Sequence, residues 1–233
     1  MATRKNDVLS KLDYASDRFN ALMTELFTAK KEGRDPKSLV HAAADVLSNS
    51  RECFDYLGQD ILETYILPLS RNKKILDNHS QGKVKAYFPF YESQLKKNAI
   101  YAELRNTNPV LHQRLLKFAI DIKNNKRISD TLFECGMFEE LKDIVNQKKH
   151  DRLVALISKQ EAELFIEQPE STILIPRDGL QGGNIVAVNP GTKISKVVEY
   201  RFEHNKREVA EFCMFAHRAT SIVVRGIYDD FFN

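Results

Sequence analysis

The chain is short of the residue types that announce a specialised class. It has no tryptophan, and its three cysteines, Cys53, Cys135 and Cys213, are odd in number, far apart and fit no metal-binding spacing. That argues against a disulfide framework or a zinc ribbon; reduced, buried thiols in a reducing compartment are expected. No apolar run is long enough to span a bilayer. The N-terminal stretch MATRKNDVLSKLDYASDRF is charged and lacks the apolar core of an export signal, so a cytoplasmic protein without a membrane partner is expected. HExxH, CxxC and GxSxG patterns are missing and carboxylates do not cluster, which argues against a metal centre or a hydrolase triad; no cofactor is expected. The glycine-rich DGLQGGN lacks the lysine and following helix of a phosphate loop and reads as a hairpin turn.

What is present is helical periodicity. Val8, Leu12, Ala15, Phe19, Leu22 and Leu26 recur at alternating spacings of four and three, an apolar seam on a helix over about 6–32. Gly33 suits its C-terminal cap, and Asp35 followed by Pro36 suits the start of a second helix over about 36–66. Val40, Ala43, Leu47, Ser50, Phe54, Leu57 and Ile61 repeat the seam, and two such helices joined by a tight turn make an antiparallel hairpin. Pro68 ends the second helix. The next stretch, to about residue 91, reads as a loop with a short extended piece. Further helices are predicted over ESQLKKNAIYAEL, over NTNPVLHQRLLKFAIDIKNNK with Asn108 as N-cap, and over MFEELKDIVNQKKH.

The texture changes after about residue 152. AELFIEQ, STILIP, NIVAVN and KVVEYRFE are short β-rich runs divided by turn residues, and MFAHRATSIVVRGIYDDFF returns to helical spacing, with His217 and Arg218 expected at the surface. The fold class is α+β, mainly α: an antiparallel helical bundle over 1–157, with a small antiparallel sheet and a final helix over 158–233 packed on it.

The charge is uneven. Between Arg71 and Arg127 thirteen lysines and arginines face four acids, and the remainder of the chain is acidic. Such a block attracts phosphate-bearing partners, although no aromatic-rich single-strand-binding pattern accompanies it. Arg51 and Asp55 stand at i and i+4 of the second helix, as an ion pair or as part of a site. Asn146 and His150 are also at i and i+4, with Lys149 beside His150. A helix C-terminus favours a protonated imidazole, which suits a general acid or a phosphate-binding cation. The bland alternative is a polar helix end.

The order LSNSRECFDYL, YFPFYESQL, LKDIVNQKKHDRLVAL over about residues 40–157 resembles a group of uncharacterised prokaryotic and phage proteins. Those carry an R-x-x-x-D-H signature, an F-P landmark and an N-x-x-K-H signature, on a long-helix core similar to the HEPN fold. By position Arg51 and Asp55 match the first signature and Asn146, Lys149 and His150 the second. The resemblance implies a ribonuclease of toxin or defence type that works without metal through an R-x(4–6)-H motif at a helix N-terminus. It also implies RNA or a nucleotide as ligand, a homodimer, and an antitoxin or other defence-system partner. Where the group has His after the Asp, this chain has Tyr56, so the Arg51 segment would lack its base. A formal R-x6-H occurs at Arg105 to His112, inside the basic block and at a helix start; a second, Arg34 to His41, straddles a turn. Arg105, His112 and His150 are therefore the catalytic candidates, and Arg51, Asp55, Asn146 and Lys149 the ligand-binding ones. The competing expectations are a non-catalytic module binding a phosphate-bearing ligand or partner protein, and a purely structural dimer.

Overall fold

A computed structural model describes residues 3–129, 131–150, 155–168, 171–175 and 193–232. The long hairpin forms as its seams dictate. Helix α1 (Lys5–Glu32) buries Val8, Leu12, Ala15, Phe19, Leu22, Leu26 and Ala29. Gly33 closes it in the left-handed region at φ 64°, its N–H donating to the Ala29 carbonyl. The Asp35 carboxylate accepts from the Lys37 N–H at 2.9 Å, but what it caps is a 3-10 turn (Pro36–Leu39) that leads into α2 (Val40–Ile61). A π-helical turn (Leu62–Ile66) ends the second helix just before Pro68. Ser50, the polar member of the seam, is fully buried and satisfied within the helix, its hydroxyl donating to the Val46 carbonyl at 2.8 Å.

Two expectations for the middle of the chain are corrected. The stretch after Pro68 is not wholly loop: α3 (Lys73–Ser80) forms there, capped by the Asn72 side chain, which accepts from the Ile75 N–H. The helix expected over 92–104 is two, α4 (Glu92–Lys97) and α5 (Ala99–Thr107). Asn98 takes an extended conformation between them, and its side chain accepts from the Ile100 N–H, trading a helical backbone position for a cap. Helix α6 (Pro109–Lys123) starts as predicted, with Asn108 accepting from the Leu111 N–H at 3.0 Å, and α7 (Met137–His150) follows.

Between α3 and α4 an extended segment alternates. Ala86, Phe88 and Phe90 point into the core while Lys85 and Tyr87 are exposed. Phe88 and Phe90 meet Phe54 of α2 at ring distances of 4.8 and 5.0 Å, and Phe138 of α7 joins them at 5.4 Å from Phe54. The F-P landmark is thus an aromatic plug between α2 and α7.

The β region is a three-stranded antiparallel sheet in the order β2-β1-β3, with β1 Leu156–Gln168, β2 Ser171–Ile175 and β3 Lys193–Phe202. β1 carries a register shift between Gln160 and Glu163. The expected strand NIVAVN and the expected turn DGLQGGN lie outside the described residues. β3 is anchored to α1 by Tyr200, whose hydroxyl is within hydrogen-bond distance of the Ala29 (3.0 Å) and Arg34 (2.7 Å) carbonyls.

Helix α8 (Val209–Phe231) is longer than the periodicity suggested and lies against both α1 and α2. Lys30 with Glu208, Asp13 with Arg225 and Lys5 with Asp229 run it antiparallel to α1. Its inward face is Phe212, Phe215, Ala216, Ala219, Val224 and Ile227, while Ile222 is 46% exposed. His217, expected at the surface, is a correction too: it is 8% exposed and packs on the Phe19 ring at 4.6 Å. Arg218 is exposed. No helix among the described residues is long and apolar enough to cross a membrane.

Candidate functional site

The Arg105–His112 pair is built by two helix ends. Arg105 sits exposed in the last turn of α5, and Asn108 then joins the two helices, its N–H on the Leu104 carbonyl and its side chain capping α6. His112 lies in the first turn of α6, with its N–H on the Asn108 carbonyl at 3.0 Å, and is 9% exposed. Burial lowers the imidazole pKa, and the positive charge of Arg105 lowers it further, against an opposing hydrogen bond to the Leu95 backbone. The tight turn at Asn108 therefore brings the two side chains within electrostatic reach and holds His112 in its neutral form.

The basic block to which Arg105 belongs is solvent-facing. All thirteen of its lysines and arginines are exposed. Among the described residues only Lys96, Lys123 and Lys126 have carboxylate partners, the first two sharing Glu92 and the third pairing Asp121. Lys83 and Lys85 flank the extended segment, Lys96 and Lys97 end α4, and Arg114 and Lys117 project from the exposed side of α6.

Arg51 and Asp55 form the expected i, i+4 ion pair at 2.7 Å, but not as a surface pair. Arg51 is buried, its guanidinium lies over the Phe90 ring at 4.9 Å, and its buried Nε has no partner among the described residues. Tyr101 is buried near this pair, its hydroxyl donating to the Tyr87 carbonyl at 2.7 Å, and burial raises its pKa. Tyr56 turns to another side: it is 39% exposed and receives the Lys11 ammonium 5.7 Å above its ring. A residue at 56 thus faces α1, away from the Arg51–Phe90 contact.

Asn146, Lys149 and His150 lie on the last turns of α7. Asn146 is exposed, and no hydrogen bond joins it to Arg51 or Asp55 among the described residues. The side chains of Lys149 and His150 lie outside the described residues.

Burial of the three cysteines raises their pKa values, Cys53 to about 12 and Cys135 to about 11, which keeps them as thiols. Among the described residues no group of three or more His, Cys, Asp and Glu side chains is placed to hold a metal ion. Comparison with known protein families, with curated proteins and with solved structures yields no match.

Proposed function

We propose that the protein is a HEPN-like, RNA-directed endoribonuclease of toxin or defence type that works without metal, with Arg105 and His112 at its centre. The observation that carries this reading is a neutral histidine held beside Arg105, in a stretch of chain whose thirteen lysines and arginines are all exposed and largely unpaired among the described residues. The cations supply sequence-independent attraction for a phosphate backbone. His112, neutral near pH 7, takes the proton from a ribose 2′-OH, and the resulting oxyanion attacks the adjacent phosphorus. Arg105 neutralises the charge that develops on the phosphoryl oxygens. The P–O5′ bond breaks, the leaving O5′ takes a proton from solvent water, and the products are a 2′,3′-cyclic phosphate and a 5′-hydroxyl, with His112 releasing its proton to solvent afterwards.

Incubating the protein with RNA in the presence of a chelator, followed by end-group analysis, tests the reading. Cleavage lost in His112→Ala and Arg105→Ala supports it. If His150→Ala alone abolishes cleavage, the centre moves to the end of α7. Intact RNA under all conditions removes the enzyme. The burial of His112 favours a second reading, a non-catalytic RNA-binding module, which is selected if RNA stays whole but binds with a steep salt dependence.

A further inference from the structure

Between α3 and α4 the chain runs extended with two unlike sides. Val84, Ala86 and Phe88 turn inward, the first half-buried and the other two buried, while Lys83, Lys85 and Tyr87 turn outward. Alternate residues of an extended chain share a side, so the three outward side chains form one row, spaced about 7 Å apart. That is close to the step between neighbouring phosphates of a stretched single strand of nucleic acid.

The row is fixed from beneath. The backbone of Ala86 and Phe88 rests directly on Gly58 of α2. The Ala86 carbonyl accepts from the Gln59 amide at 3.2 Å, and the Tyr87 carbonyl accepts from the Tyr101 hydroxyl at 2.7 Å. Tyr101 stands one helical turn before Arg105, so the Tyr87 end of the row touches the helix that carries the proposed catalytic arginine.

The chemistry of the row selects its ligand. Tyr87 is 57% exposed, and its ring and hydroxyl have no partner among the described residues. An aromatic face that the core does not use, carried on a pinned backbone, can stack a planar ring at little entropic cost. Lys83 and Lys85 are exposed without carboxylate partners among the described residues, so both charges are open to an anion. The chain holds no acid between Asp77 and Glu92. Asp55, the carboxylate that reaches Tyr101 from below, is spent on Arg51. A stacking ring beside phosphate-binding cations is how proteins hold single strands without reading their sequence. A duplex does not fit, because its bases already stack on one another, and unstacked bases are what aromatic side chains take from RNA. An acidic peptide would use the lysines and leave the ring idle.

We infer that the row of Lys83, Lys85 and Tyr87 is a docking strip for single-stranded RNA, with an unpaired base stacked on Tyr87 and the phosphates beside it on the two lysines. The strip rests on the RNA-directed reading and is independent of cleavage at His112.

Fluorescence anisotropy of the full chain with a labelled, unstructured short RNA tests the strip. The single strand is expected to bind more tightly than the same RNA annealed to its complement. Tyr87→Ala is expected to weaken single-strand binding about tenfold and Tyr87→Phe to retain it, because the ring face is what stacks. An RNA of the same length with abasic sugars keeps the phosphates without the bases, and Tyr87→Ala is expected to leave its binding unchanged. Lys83→Ala and Lys85→Ala are each expected to reduce the slope of log affinity against log salt by roughly 0.7, the single-strand value per phosphate contact. All three side chains are exposed, and matched melting curves show that the variants fold. Binding that Tyr87 and the two lysines control, with the RNA left whole, supports the strip and removes only the nuclease. RNA that is bound and cut with unchanged affinity in Tyr87→Ala overturns the strip and leaves the RNA-directed reading standing. Single-stranded DNA or polyglutamate binding more tightly than the RNA also overturns the strip, and a chain that binds no single strand overturns both.

Discussion

Gly58 of α2 lies directly against the backbone of Ala86. A Cβ built on Gly58 would sit 2.8 Å from the Ala86 carbonyl oxygen and 2.9 Å from the Phe88 nitrogen. The same contact is reinforced by Gln59, whose amide donates to the Ala86 carbonyl at 3.2 Å. The close approach lets Phe88 and Phe90 reach Phe54, so the glycine is a packing residue despite standing mid-helix.

Gly58→Ala is therefore expected to destabilise. Better helix propensity contributes about 1 kcal/mol in favour. Forcing apart two stretches of backbone costs about 1–3 kcal/mol, and neither stretch can swing aside as a side-chain tip would. A net loss of about 1 kcal/mol in urea denaturation is the expected result, and a more stable variant would show that the segment over 86–88 yields easily.

Asp60 is 1% exposed and accepts from the Arg4 backbone N–H at 2.8 Å, the Arg4 guanidinium at 2.7 Å and the Tyr228 hydroxyl at 2.8 Å. One carboxylate thereby ties the start of α1 to α2 and α8. Arg4→Ala strands that carboxylate and is expected to cost about 3 kcal/mol, at the low end for breaking a buried pair because the arginine is 35% exposed. Adding Asp60→Asn removes the stranded charge and is expected to restore part of the loss, measured as a double-mutant cycle.

His217 has its pKa lowered to about 4, by burial first and by Arg218 second, and its buried Nε2 has no partner among the described residues. The unfolded chain takes up that proton near the ordinary value of about 6.5, whereas the folded chain resists until about 4. Stability is thus full above the unfolded value and falls as pH drops from about 6.5 to about 4, by roughly 3 kcal/mol for this group. His217→Phe is expected to flatten that window in pH-dependent denaturation. A slope identical to that of the unmodified chain would place the acid sensitivity in other groups.

Arg114 and Lys117 are exposed on α6 without carboxylate partners among the described residues. Arg114→Glu and Lys117→Glu are each expected to weaken RNA binding across sequences, with the slope of log affinity against log salt reduced by about 1 per lost phosphate contact. Filter binding over a salt series measures this. Unchanged slopes would move the RNA surface elsewhere.

Parts of the site were legible in the chain and parts were not. Asn108 and Pro109 mark the start of α6 by local chemistry alone, so His112 could be put in a first helical turn before any coordinates. The Arg51–Asp55 pair follows from helical spacing, but its burial under Phe90 does not, because Phe90 comes from another element. Asn98 was missed as a break because ESQLKKNAIYAEL keeps helical residues on both sides, and a single cap residue is a weak signal against them. His217 was misplaced because its neighbour Arg218 is exposed; on a helix wrapped by both α1 and α2, one position of rotation separates surface from core.

The linear order of residues determined the elements: alternating three- and four-residue apolar spacings, glycine and proline at the ends, and β-branched runs near the C-terminus act through neighbours within a few positions. It also determined the charge block, since formal charge needs no fold. The tertiary structure alone decided which cations lack partners, that the last helix lies beside the first, and that Gln59 and Tyr101 hold the segment that carries Tyr87. Those are relations between segments far apart in the chain, and they are set by the packing of whole helical faces rather than by any local preference.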